Sequence, residues 1–309
     1  MTPTRDQELA VLRSVVYASL FDYPLAPVQL ETSLIAMRAD AATIERWWRE
    51  SDLLRAAIEY RDGLYFPAGR SDLVRTRSRR EALSRELLDR DRRILSLVSN
   101  MPFVRMVALS GSLAHLNAEG SADLDLFVIT APHRVWSVTV ATLVLAKLLG
   151  WRKRVCMNYV VSERALSIEP QDLFSANQII HLRPVSGHAV FEHFVKSNAF
   201  VRQIYPNFEL QGGPKPQAPS PKPFIERVLS FGFAQIAEGI SRSLYGWHLR
   251  RHSASWQSKD QVRLEPECLK LHTSSHRAST MARFDAAMQK ATTKDTKNTK
   301  TLLLNTGAA

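Results

Sequence analysis

The sequence predicts a mixed α/β protein: a helical module with a β-hairpin, then an α/β domain, then a helical region. Three observations carry that expectation. Residues 6–54 place apolar side chains at helical spacing, and Asp62-Gly63 then separates two short β-prone runs. From Pro102 the apolar runs "FVRMVALS", "LDLFVIT" and "RVCMNYVVS" are interleaved with helical segments. Beyond a proline-rich stretch, long amphipathic segments return.

Taken in order, "DQELAVLRSVVYASL" predicts a first helix, ended by the two prolines of "DYPLAP". "VQLETSLIAM" predicts a second, and Asp40 caps a third over "AATIERWWRESDLL". With the hairpin, residues 1–69 have the element order of a winged helix-turn-helix, which binds DNA through its third helix or serves as a protein contact. The region is nearly neutral, and Trp47 and Trp48 suit packing better than base reading. Residues 70–100 predict a charged connecting helix in which nine arginines face five acids, partly as i,i+4 pairs. That charge is a self-paired solvated face or a stripe facing polyphosphate.

Residues 101–210 predict the α/β domain, with helices over Val135–Leu149 and Glu169–Leu182. Residues 211–223 hold five prolines and two glycines and predict a linker. Residues 224–289 predict a helical region, with one long helix over "FIERVLSFGFAQIAEGISRSLYGWHLRRH" and another over "LKLHTSSHRASTMARFDAAMQ". Residues 290–309 are low-complexity and predict a disordered tail.

The chain has 309 residues, 45% hydrophobic and 23% charged, the balance of a globular protein. The net charge is +11, and its placement is uneven. Residues 1–100 hold 16 basic against 15 acidic side chains, whereas the other 209 hold 25 against 15. Such a surface favours polyanions: nucleotides, nucleic acid or acidic lipid. Cys156 and Cys268 form no metal-type pair and predict buried, reduced thiols in a cytoplasmic protein. The polar N-terminus argues against a secretory signal. Val135–Trp151 is too short and too polar for a membrane span, so no membrane partner is expected.

The chemistry concentrates in "LSGSLAHLNAEGSADLDLFVIT". Alternation along a strand puts Asp123 and Asp125 on one face, while Leu124 and Leu126 enter the core. Two carboxylates this close repel, and a hard divalent cation such as Mg²⁺ compensates them. Upstream, Gly111 lets the backbone turn tightly, and Ser110 and Ser112 flank it with hydroxyls suited to a phosphate.

This arrangement resembles the DNA polymerase β-like nucleotidyltransferase superfamily: a Gly-Ser turn after a strand, a spacer, then Asp-x-Asp leading an apolar strand. The blocks "YASLFDYPLAPVQL", "FVRMVALSGSLAH", "FVKSNAFVRQIYPNF" and "LKLHTSSHR" resemble bacterial nucleotidyltransferase-domain proteins of unassigned substrate. The resemblance implies a polymerase-β-like core in which Asp123 and Asp125 are catalytic and bind Mg²⁺, and in which Ser110, Gly111 and Ser112 grip a nucleoside triphosphate. It implies transfer of a nucleoside monophosphate to an acceptor hydroxyl with release of pyrophosphate. One departure stands out. The third carboxylate of active members has no match at the centre of "RVCMNYVVSE", where Asn158 stands, and Glu163 at the strand's end is the other candidate for that third position. The alternative is therefore a degenerate regulator that binds nucleotide or DNA without turnover.

Other candidates are weaker. His115 faces a phosphate or simply packs. Arg152, Lys153 and Arg154 face a triphosphate or sit at a helix end that favours cations. His272 and His276 share a helical face without a third ligand.

Overall fold

The computed structural model describes residues 2–120, 122–210, 222–229, 233–272 and 276–290. The chain divides into two compact units. One comprises residues 1–79, 200–209 and 276–309, and the other residues 80–199 and 210–275.

The chain opens with α1 (Arg5–Ser19), α2 (Pro27–Thr32), α3 (Ala41–Glu50) and α4 (Asp52–Ala57). Local chemistry sets their starts. Thr4 and Gln7 form a reciprocal capping box, Pro27 occupies the first position of α2, and Asp40 and Ser51 accept from Thr43 and Leu54 backbone N–H groups. Strands β1 (Ile58–Arg61) and β2 (Leu64–Pro67) pair antiparallel. Asp62 and Gly63 both have positive φ, as a two-residue hairpin turn of type I′ requires. Leu12, Leu30, Leu34, Ile44 and Leu54 are fully buried, as are Ile58 and Phe66 of the hairpin. Trp47 is buried, and Trp48 packs near Tyr60 and Tyr65 while donating to the Ile58 carbonyl at 2.9 Å. Both tryptophans are packing residues.

Helix α5 (Asp72–Asn100) follows, its C-terminal part belonging to the second unit. That unit continues with β3 (Val104–Leu109), α6 (Gly111–Ala114), β4 (Leu124–Thr130), α7 (Val135–Leu148), β5 (Val155–Ser162), α8 (Leu173–Ile180), β6 (Arg183–Ser186) and α9 (His188–Lys196). After α10 (Phe200–Ile204) come α11 (Lys222–Leu229), α12 (Phe233–Arg251), β7 (Val262–Glu265) and β8 (Cys268–Leu271), then α13 over residues 277–290.

Strands of the second unit form one mixed sheet in the order β6-β3-β4-β5-β8-β7. Within it β4 and β5 are parallel neighbours, and α7 supplies the crossover between them. Val107, Leu109, Leu124, Leu126, Val128 and Val160 pack with Leu87, Ile94 and Val98 of α5 and Trp136 of α7. Asp91 of α5 is fully buried within this core and paired with Arg90 and Arg154. Such a charge is tolerable only because both guanidinium groups reach it.

In the first unit, α10 and α13 join the N-terminal helices. Ala36 donates to the Ile204 carbonyl at 2.7 Å, Asn207 donates to the Glu31 and Ala39 carbonyls, and Phe284 meets Tyr17 edge-on.

Two sequence expectations need correction. Residues 224–289 are not helical throughout, since β7 and β8 extend the sheet, with Lys270 paired opposite Tyr159. The expected helix over "LKLHTSSHRASTMARFDAAMQ" is a strand to Leu271 and a helix only from residue 277. Pairing with β5 on one side and β7 on the other outweighs helical propensity there. Residues 211–221 of the expected linker, residues 230–232 within the expected long helix and residues 291–309 of the expected tail lie outside the described residues. Among the described residues, no helix is long and apolar enough to cross a membrane.

Candidate metal and phosphate site

The site forms where β3 ends and β4 begins. Ser110 leaves β3 in extended conformation and donates its N–H to the Asp125 carbonyl at 2.8 Å, tying turn to strand. Gly111 follows at φ +63°, a region that glycine enters without penalty. The Asp125 carboxylate lies directly against it, so a Cβ at position 111 would overlap a carboxylate oxygen. Ser112 accepts the Asn117 N–H at 2.9 Å through its carbonyl, closing the loop after the short helix.

That loop is anchored to α5. Ser84 accepts the Ala118 N–H at 3.0 Å, and the buried Arg80 reaches Asn117 and Glu119. Leu124 then starts β4 by donating to the Arg154 carbonyl at 2.8 Å. The strand presents Asp123 to solvent and leaves Asp125 half-buried on the same face.

Beside them runs β5, with Cys156 opposite Asp125 and a register shift before the Phe127–Tyr159 pair. The shift turns Asn158 toward the acids, where its amide N–H donates to the Asp125 carboxylate. The Asn158 carbonyl oxygen accepts from the Cys156 thiol at 2.7 Å. Ligating atoms of Asp123, Asp125 and Cys156 lie within 4.8 Å of one another. Burial raises the Asp125 carboxyl to about 6, Asp123 adds to the rise, and the Asn158 bond opposes it. Burial and both aspartates push the Cys156 thiol up to about 12, with Arg152 pulling the other way.

The donor set fits a hard divalent cation. Two carboxylates converge, one carries the electrostatic penalty that a cation relieves, and Asp123 is open to water for the remaining positions. A neutral thiol adds little for such an ion, so Cys156 is a neighbour of the carboxylates that sequence reasoning did not assign to the site. Its register opposite Asp125 was the missing signal.

The other sequence candidates divide. Ser110, Gly111, Asp123, Asp125 and Asn158 come together. Ser112 lies in the same turn, with its side-chain role unassigned. Glu163 does not join them, because parallel pairing carries it to the far end of β5. There its N–H meets the Thr130 carbonyl at 3.0 Å and its carboxylate faces Arg105 at 3.8 Å. Five residues of strand separate it from Asn158, about 16 Å. Arg154 is engaged with buried Asp91, whereas Arg152 and Lys153 remain exposed in the turn before β5. His115 stacks on His181 at 4.1 Å, and burial with that neighbour pushes its pKa well below the ordinary range, so it packs as neutral imidazole. The helical His272–His276 face does not form, since His272 follows β8 directly.

Along the same sheet face lies a cavity of about 40 Å³ whose lining includes Ser110, Phe127, Tyr159, Gln178, Lys270 and His272. Burial, with Lys270 adding, lowers His272 to about 4, so it lines the cavity uncharged. No family model, curated protein or solved structure matches the chain.

Proposed function

We propose that the chain is a Mg²⁺-dependent nucleotidyltransferase with a polymerase-β-like core, transferring a nucleoside monophosphate to an acceptor hydroxyl. The observation that carries this reading is the contact between Gly111 and the Asp125 carboxylate, with Asp123 beside it. It sets a turn able to approach phosphate against a pair able to hold a cation.

In the proposed reaction, the acceptor hydroxyl gives up its proton to water, its oxygen bonds to the α-phosphorus as the bond from that phosphorus to the bridging oxygen breaks, and pyrophosphate leaves. Asp123 and Asp125 would hold Mg²⁺. Bound there, the ion supplies charge neutralisation on the phosphate oxygens. Ser110 and Ser112 offer hydroxyl groups to the triphosphate, Gly111 lets it approach the backbone, and Arg152 and Lys153 add positive charge nearby. Asn158 orients Asp125 through its amide but cannot take a proton from the acceptor. The Ser110-lined cavity is the natural place for part of the acceptor. The α1–β2 segment is read as a winged-helix-like module that contacts DNA or protein, and the chain as cytoplasmic.

Incubation with α-labelled nucleoside triphosphates, Mg²⁺ and candidate acceptor pools tests the proposal: label transfer should appear with pyrophosphate and vanish in Asp123→Asn. Full transfer in that variant contradicts it. The second reading, a nucleotide-binding regulator without turnover, is favoured by the single fact that an amide stands where a third carboxylate is expected. It predicts Mg²⁺-dependent nucleotide binding without label transfer across those pools.

A further inference from the structure

Helix α12 is apolar on two faces. One turns Ala234 and Gly246 inward, where Gly246 lies beside the Trp136 ring and Tyr245 meets it edge-on. The other carries Phe233, Ile236, Ile240, Leu244 and Trp247, spaced by three or four residues and each 53 to 76% exposed. That spacing gathers them on a single stripe along a helix about 28 Å long. In α11, Phe224 (73% exposed) and Val228 (54%) are likewise exposed. Isolated exposed apolar residues are ordinary, but a contiguous stripe of this size marks an interaction surface.

Charge identifies the partner. The acids of these two helices, Glu226 and Glu238, both point into the fold. Glu226 pairs with Arg105 and accepts the Phe103 N–H, while Glu238 accepts the N–H groups of Trp136 and Ser137 at the start of α7. What remains exposed is cationic: Arg227, Arg242, Arg250 and Arg251, with the Arg251 guanidinium 5.3 Å over the Trp247 ring. An apolar stripe with a tryptophan, flanked by arginines and cleared of acids, matches the boundary between acyl chains and anionic headgroups. A parallel two-fold contact with a second copy would oppose the same arginines to one another.

We propose that α11 and α12 dock this protein on the surface of an anionic lipid bilayer. The stripe enters the acyl boundary and the arginines meet lipid phosphates. No described helix is long and apolar enough to span, so the association is peripheral. The expectation of no membrane partner rested on the lack of a spanning run, and a surface-lying helix leaves no such run. The proposal is independent of the nucleotidyltransferase reading.

Co-sedimentation of the full chain with vesicles of phosphatidylcholine, with and without phosphatidylglycerol, tests it. The chain should pellet with the anionic vesicles, and added salt should weaken that binding. The triple variant Phe233→Ser/Ile240→Ser/Leu244→Ser, and separately Arg250→Glu/Arg251→Glu, should reduce partitioning by about tenfold or more. Circular dichroism matching wild type shows that each variant is folded. Quenching of tryptophan by brominated lipid should fall in the milder Trp247→Phe, which keeps the ring apolar. Failure of the wild-type chain to pellet with anionic vesicles overturns the proposal. So does unchanged pelleting of both folded multiple variants, or a stable dimer that the triple variant dissolves in the absence of vesicle binding.

Discussion

The Asp125 carboxylate rests against Gly111, whose φ is +63°, and the two residues define the mouth of β4 together. Replacing Gly111 with alanine therefore meets two obstacles, a positive φ and an occupied Cβ position. Gly111→Ala should lose about 1–3 kcal/mol of stability by the usual cost of such backbone conformations. It should also weaken Mg²⁺ affinity, because Asp125 must move. Urea unfolding and metal titration of the same variant measure both.

Titration of Asp125 gives the metal-free protein a pH signature. Its carboxyl is raised from 3.8 to about 6, so the native state holds a proton that the unfolded chain has already released in that window. The sign follows: the group's contribution is fully present below about 3.8 and is lost as pH rises through about 6. That contribution is at most on the order of 3 kcal/mol, because the rise from 3.8 to about 6 spans about two tenfold steps in proton affinity, each corresponding to about 1.4 kcal/mol. Chemical denaturation between these limits should show stability lost with rising pH relative to Asp125→Asn, which lacks the titration. Saturating Mg²⁺ should reduce the difference.

Asn158 separates the two functional readings. Asn158→Asp supplies a third carboxylate beside Asp125, where Asn158 now donates a hydrogen bond. In the absence of metal the variant should be less stable, since three anions then converge. With Mg²⁺ it should bind the ion about tenfold more tightly, as expected of an added carboxylate ligand. If the wild-type chain binds nucleotide without turnover, label transfer appearing only in this variant identifies the missing acid as the cause.

The Asp91–Arg154 pair is a structural prediction. Asp91 is fully buried, and Arg90 and Arg154 both reach it. Arg154→Ala removes one partner and should cost about 2–4 kcal/mol, less than complete loss of a buried partner because Arg90 remains. Since Arg154 also provides the carbonyl that starts β4, altered metal binding need not follow: the backbone bond survives the substitution. Thermal unfolding and Mg²⁺ titration should therefore diverge in this variant.

Where apolar runs stood alone, the sequence was informative. β3, β4 and β5 each contain a buried hydrophobic series, and α1, α3 and α7 show helical spacing or caps. The hairpin was legible in Asp62-Gly63 because few residue pairs adopt two successive positive φ values. The four-residue strands β6, β7 and β8 were not, since "RPVS", "VRLE" and "CLKL" become strands through pairing with their sheet neighbours rather than through their own pattern. At the site, Asp123, Asp125 and Gly111 were legible from strand alternation and glycine's freedom. Cys156 was missed and Glu163 misplaced for one reason: both depend on the β4–β5 register, a tertiary fact.

Electron paramagnetic resonance of Mn²⁺, titrated into the protein with a non-hydrolysable nucleoside triphosphate, bears most closely on the proposed cation and phosphate site. Mn²⁺ stands in for Mg²⁺ as a hard divalent ion with a detectable signal. The predicted result is saturable binding, strengthened by the nucleotide and abolished in Asp123→Asn/Asp125→Asn, with that variant folded by circular dichroism. Equal binding by the folded double variant, or no nucleotide-dependent binding by the wild-type chain, would contradict it.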